Sequence, residues 1–172
     1  PDVAPVTIEA VVQVESRSDP LALHVNRLPV QPPPARALDE AVRTAEAFIA
    51  RGYSVDLGLM QVNSRNLPVL GLTVARVFEP CANIKAGGAI LAANYRQAVQ
   101  TLGEGQAALQ AALSAYNTGD FARGFANGYV ARYYGPAVPV LAVALSARAA
   151  TPSPPPPNPH TPEKENYAKE KP

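Results

Sequence analysis

The first place where this chain could do chemistry is a carboxylate set into an apolar stripe. In the run Thr7-Ile8-Glu9-Ala10-Val11-Val12-Gln13-Val14-Glu15-Ser16, residues Ile8, Val11, Val12 and Glu15 recur at i, i+3, i+4 and i+7, which puts them on one face of a helix. Glu9 falls on the opposite, solvated side. Glu15 therefore points toward the core or into a cleft, where loss of hydration disfavours its charged form and raises its pKa. A carboxylic acid that keeps its proton near neutral pH is the general acid that glycosidic bond cleavage needs. The same pattern also admits a glutamate at the edge of the stripe that reaches water or pairs with a neighbouring arginine such as Arg17.

Other chemistry-bearing residues are sparse. Asp19 follows four residues after Glu15, past the expected helix end, and Asp56 belongs to a distant segment. A retaining glycosidase pair needs its carboxyls about 5–5.5 Å apart, and nothing in the spacing brings either aspartate that close, so both read as structural. Cys81 is the only cysteine, which excludes an internal disulfide and reads as a buried free thiol. His24 and His160 stand alone, no spacing fits a zinc site, and no metal or cofactor is expected.

A mainly α framework must position these groups. Leu38, Ala41, Val42, Ala45, Phe48 and Ile49 form one amphipathic helical segment, with Asp39 and Glu40 in its first turn and Gly52 just beyond its end. Helices are also expected over 82–101, on Ile84, Leu91 and Tyr95, and over 104–116, on Leu109, Leu113 and Tyr116, with Gly103 between them. Gly87-Gly88 inside the longer one costs helix stability and points to close approach of a neighbour or substrate. A last helical region covers 129–149, interrupted near Gly135-Pro136. Residues 53–63 read as a β-turn or a small hairpin, and 26–37, with Pro29, Pro32, Pro33 and Pro34, as a loop.

The 172 residues, 47% of them hydrophobic, suit one globular unit over 1–150. Residues 151–172 combine a proline block with a charged tail and read as disordered, with local polyproline II at 154–157 serving as a spacer or a docking segment. Lys and Arg number 15 against 14 Asp and Glu, without the clustering of a nucleic-acid footprint. No apolar run approaches the roughly 20 residues of a membrane span. The start at Pro1, without a methionine, gives the expectation of a processed chain whose targeting segment has been removed.

Four motifs in order resemble the soluble-type lytic transglycosylase domain of the lysozyme-like superfamily: Glu15-Ser16 with Asp19-Pro20, Gly58-Leu59-Met60-Gln61-Val62-Asn63, Ala115-Tyr116-Asn117-Thr118-Gly119, and Gly128-Tyr129-Val130. The likeness covers about residues 5 to 135. The lead-in at 52–58 and Phe78-Glu79-Pro80-Cys81-Ala82-Asn83 are similar to the branch that serves type IV secretion and conjugation systems. The resemblance implies a lysozyme-like, goose-type helical fold with at most a small β-hairpin. It also implies cleavage of the β-1,4 bond between N-acetylmuramic acid and N-acetylglucosamine in peptidoglycan, with a 1,6-anhydro product. Peptidoglycan strands and secretion components are the implied partners, and the periplasm is the implied compartment.

By the same resemblance Glu15 is the acid and then the base, and Tyr129 is the tyrosine whose hydroxyl orients it. Gln61 and Asn117 each offer an amide donor pair and a carbonyl acceptor, suited to N-acetyl groups, and match cleft-lining positions. Ser16, Gly58, Met60, Asn63, Tyr116 and Tyr133 complete the expected substrate-binding set, with Met60 as a polarizable surface against a sugar ring, although a lone methionine is more often core. Arg17, Ser18 and Asp19 depart from the Gly or Ala, then Asn before Pro, of many relatives and add charge beside the acid. The segment 29–34 reads as an insertion bordering the cleft. Relatives in the secretion branch tend to carry a cysteine just before this chain's first position, which would be a partner for Cys81. A lysozyme-like hydrolase, and a non-catalytic wall-binding assembly factor working through its proline-rich tail, remain the alternatives.

Overall fold

The computed structural model describes residues 3–134. In chain order these form α1 (Pro5–Ser16), β1 (Leu23–Val25), α2 (Leu38–Ala50), β2 (Val55–Leu57), β3 (Val62–Asn63), a 3-10 turn (Ser64–Asn66), α3 (Leu67–Leu70), α4 (Val74–Val77), α5 (Pro80–Leu102), α6 (Gln106–Thr118), α7 (Arg123–Ala126) and a final 3-10 turn (Val130–Tyr133). The expected helix over 129–149 is therefore a short 3-10 turn where it falls within the described residues. Its remainder, the tail over 151–172 and the 154–157 segment lie outside them.

The centre of the core is α6. Its alanines permit close packing, and Ala108, Leu109, Ala111, Ala112, Leu113 and Ala115 are all buried, so the helix is enclosed on every side. Helix α5 runs back along it after a reversal at Gly103 and Gly105, whose φ angles of 72° and 126° suit glycine. Pro80 opens α5 at a position where its missing N–H costs nothing. Close packing accounts for the first glycine of the pair: a Cβ at Gly87 would lie 2.6 Å from Met60 Cβ and 2.9 Å from the Tyr116 hydroxyl. Cys81 is exposed, not buried, because it stands in the first turn of α5 on the side away from the core.

The expected hairpin is present as β2 and β3, and a third strand, β1, extends it into an antiparallel sheet of order β1-β2-β3. Register pairs His24 with Asp56 and Asp56 with Asn63. Alternation along β2 buries Val55 and Leu57 and turns Asp56 to the other face. One amide braces this sheet to α5. Asn83, fully buried, donates to the carbonyls of Leu57 (2.8 Å) and Val77 (2.7 Å) and accepts from Met60 N–H (2.7 Å). Gly58, at φ 71°, leaves room for it, since a Cβ would come within 2.4 Å of the Asn83 amide nitrogen. The proline-rich loop is tied down by Gln31, whose side chain bonds both Val25 N–H and Val25 C=O, and its Pro32, Pro33 and Pro34 border a small hollow beside Leu23. No helix among the described residues is long and apolar enough to cross a membrane.

Candidate active site

Glu15 occupies the last turn of α1, with Val11 and Ala10 behind it in the core and Glu9 exposed to solvent. The helix ends immediately afterwards because Arg17 and Ser18 both adopt left-handed backbone, φ 55° and 65°. Ser16 bonds back to the Val12 carbonyl (3.1 Å), and Asp19 accepts from Leu21 N–H (2.9 Å), which fixes the turn and keeps Asp19 out of the site. Glu15 faces a cleft of about 510 Å³, ample for a small-molecule or sugar subsite. Across it lies Asp56 on β2, with Asn26 and His24 from the β1 strand and turn, Gln61 from the β2–β3 loop, and Tyr116 and Asn117 from α6.

The acid has a built partner. Tyr129 hydroxyl donates to Glu15 Oε1, and the Tyr129 and Tyr133 hydroxyls are 2.5 Å apart. The two rings meet edge to face, with centroids 5.3 Å apart. Burial first, and the Glu15 charge second, holds the pKa of both phenols well above the ordinary range. Arg132 lies over the Tyr129 ring at 5.7 Å and donates to the Val14 carbonyl (2.8 Å), so the final turn grips the end of α1.

These surroundings raise the Glu15 pKa from 4.5 to about 7. Burial dominates; the Tyr129 bond and the Arg132 charge lower the value and the Asp56 charge raises it. Glu15 thus holds its proton through the mildly acidic range and exchanges it near neutrality, as an acid that must later act as a base requires. Two variants should move this pKa in opposite directions. Tyr129→Phe removes a bond to the carboxylate form and should shift the alkaline limb of the activity profile to higher pH, with turnover reduced about 10-fold or more. Asp56→Asn removes a neighbouring negative charge and should shift the same limb to lower pH. Profiles moving in the same direction would refute this account of the site.

Of the expected residues, Glu15, Ser16, Gln61, Tyr116 and Asn117 line the cleft. The other four expected contacts do not line it. Met60 is fully buried against Gly87 and reaches the site only through its carbonyl, which accepts from Tyr116 hydroxyl (2.7 Å). Asn63 is buried and donates to Asp56 (2.6 Å) while capping the turn that follows β3. Gly58 makes room for Asn83, and Tyr133 is fully buried behind Tyr129. Gln61 takes a left-handed φ of 48° and its amide donates to the Ala22 and Gly58 carbonyls, tying the loop to the end of β1.

Asp56, read as structural, accepts from Asn26 (2.8 Å) and Asn63 and also faces the acid across the cleft. Asn26, His24 and Arg132 line the cleft without having been singled out for it. For Asp56 the signal was available in the alternation Val55-Asp56-Leu57, which opposes its side chain to the core. Arg132 and Tyr133 follow Tyr129 at i+3 and i+4, one helical face.

Over residues 1–134 the chain matches the family described as Transglycosylase SLT domain. It is similar to the type IV secretion system protein virB1 of Brucella abortus biovar 1, 47% identical over 128 residues, which cover 73% of this chain and 52% of the relative. The protein of the same name from Brucella suis biovar 1 has the same identity and coverage. Protein virB1 of Agrobacterium fabrum is 42% identical over 135 residues, 76% of this chain and 52% of the relative. The chain spans about half the length of the curated relatives it matches. No solved structure matches it significantly.

Proposed function

The chain belongs to the Transglycosylase SLT domain family, and from that premise we propose that it cleaves the β-1,4 bond between N-acetylmuramic acid and N-acetylglucosamine without using water as nucleophile. Protonated Glu15 gives its proton to the bridging oxygen as the bond to the muramoyl anomeric carbon breaks. The substrate's N-acetyl group stabilises the positive charge at that carbon. The muramoyl 6-hydroxyl then attacks the same carbon and loses its proton to the Glu15 carboxylate, which restores the acid and closes the 1,6-anhydro ring. One residue serves both steps because its pKa near 7 makes donation and recovery of the proton comparably easy.

The observation that carries this reading is the half-buried Glu15, braced by Tyr129, at the wall of a polar cleft. Asn117 would present its amide N–H groups, and Gln61 its side-chain carbonyl, to the N-acetyl groups. The relatives' names support a role in opening the wall for a type IV secretion apparatus, and hence action in the periplasm. The hydrolase reading gains support from Asp56, which faces Glu15 across the cleft and could activate a water there.

Mass spectrometry of muropeptides released from purified peptidoglycan separates the two. Products lighter by one water, with a 1,6-anhydro end, are expected. Reducing-end products would make the protein a hydrolase, and no release at all would count against both.

A further inference from the structure

We propose that an arginine-lined hollow beside the cleft binds carboxylates of the peptide stem that peptidoglycan strands carry, an assignment that rests on the glycan-cleaving reading above. The hollow encloses about 360 Å³ between Arg27, Arg51, Tyr53, Ser54, Arg65 and Asn26, and Asn26 also lines the catalytic cleft, so the two spaces adjoin at that residue. Its three guanidinium groups come from three separate places in the fold: the turn after β1, the end of α2, and the 3-10 turn after β3. Arg51 is held by rings, 5.2 Å from the centroid of Phe48 and 5.6 Å from that of Tyr53.

Among the described residues the ion pairs join Arg43 to Asp39 and Arg76 to Glu79, and neither involves an arginine of the hollow. Like charges gathered in a concavity favour an anion, and guanidinium forks match the planar, two-oxygen geometry of a carboxylate. A polymer whose muramoyl sugar lies in the cleft carries its stem on that same sugar, within reach of the adjoining hollow. Phosphate offers similar acceptors, and the test separates the two.

The full chain is compared with a double variant, Arg27→Asn with Arg65→Gln. Asn tolerates the left-handed φ of 62° at position 27, and Arg51 is retained because its ring contacts pack the end of α2. Initial rates are measured on peptide-bearing strands and on strands stripped of peptide by an amidase. The parent should show a KM roughly 10-fold lower on peptide-bearing strands, a preference that the double variant loses. Isolated stem tetrapeptide should shift the amide resonances of Asn26, Arg27, Ser54 and Arg65 in the parent and not in the variant.

A parent without substrate preference, or a preference that the variant keeps, overturns the assignment. So does inorganic phosphate shifting those amides while tetrapeptide leaves them unmoved. The titration needs no turnover, so a chain that binds tetrapeptide through these arginines yet cuts no strand would refute the cleavage reading and uphold the hollow.

Discussion

Glu15→Gln is expected to lower turnover by about 10²–10⁴-fold, the range associated with loss of a positioned general acid and base, and at the same time to make the protein harder to unfold above pH 7. The second effect follows from the direction of the pKa shift. The folded-state value of about 7 lies above the ordinary 4.5, so between those values the folded chain holds a proton that the unfolded chain has released. Stability therefore falls as pH rises through this window and does not recover above it. Glutamine has no charge to bury and still accepts the Tyr129 hydroxyl.

Allowing for water at the cleft mouth, the variant should gain on the order of 2 kcal/mol at pH 8 and very little at pH 4.5. Thermal melts of both proteins across pH 4–9, read beside muropeptide release, measure both effects. Parental turnover in the variant would remove Glu15 from the chemistry, and a pH-independent difference in melting temperature would remove the buried-charge explanation.

Asn83→Ala should be the most damaging substitution away from the cleft. Its side chain satisfies three main-chain groups, Met60 N–H and the carbonyls of Leu57 and Val77, and alanine removes the partner of all three inside the core. Each orphaned group costs about 1–3 kcal/mol, so the loss is on the order of 4 kcal/mol, a large share of the 5–15 kcal/mol typical of a domain. A melting temperature lower by about 10 °C is expected. Asn83→Asp preserves the shape but replaces the amide donors with a charged acceptor facing two carbonyls, and should be no milder. The damage should extend to activity in the fraction that remains folded, because the same bonds hold the loop bearing Gln61. A melt within 2 °C of the parent for either variant would show that the sheet does not depend on this brace.

How much of the molecule was legible beforehand follows from the range over which each signal acts. Glu15 was visible because helical periodicity is local, and a polar residue inside a stripe stands out within eight positions. Helices α2, α5 and α6 were visible for the same reason, to within about two residues at their ends. The strand β1 was not, since three residues carry too little alternation and their pairing with β2 is decided by contacts more than 30 positions away.

Met60 was given to the sugar because its type suits either a ligand or a core, and only the glycine at position 87 decides between them. Asn63 was placed on the sugar for a similar reason: an amide in a motif announces a hydrogen bond but not its partner, which is Asp56. Asn26 and Arg132 lay beyond any local pattern. One depends on the sheet register, the other on where the chain's final turn docks.

That final turn also sets when the site comes into being. Glu15 and Tyr129 are 114 positions apart, and the bond between them closes a loop around most of the described residues. Helix α1 can form early in synthesis, but its acid remains an ordinary solvated carboxylate until Tyr129, Arg132 and Tyr133 have been made and have docked. The perturbed acid thus belongs only to the finished fold. A nascent or partly unfolded chain carries the residue without its raised pKa, so proton transfer near neutrality at this position depends on completed folding.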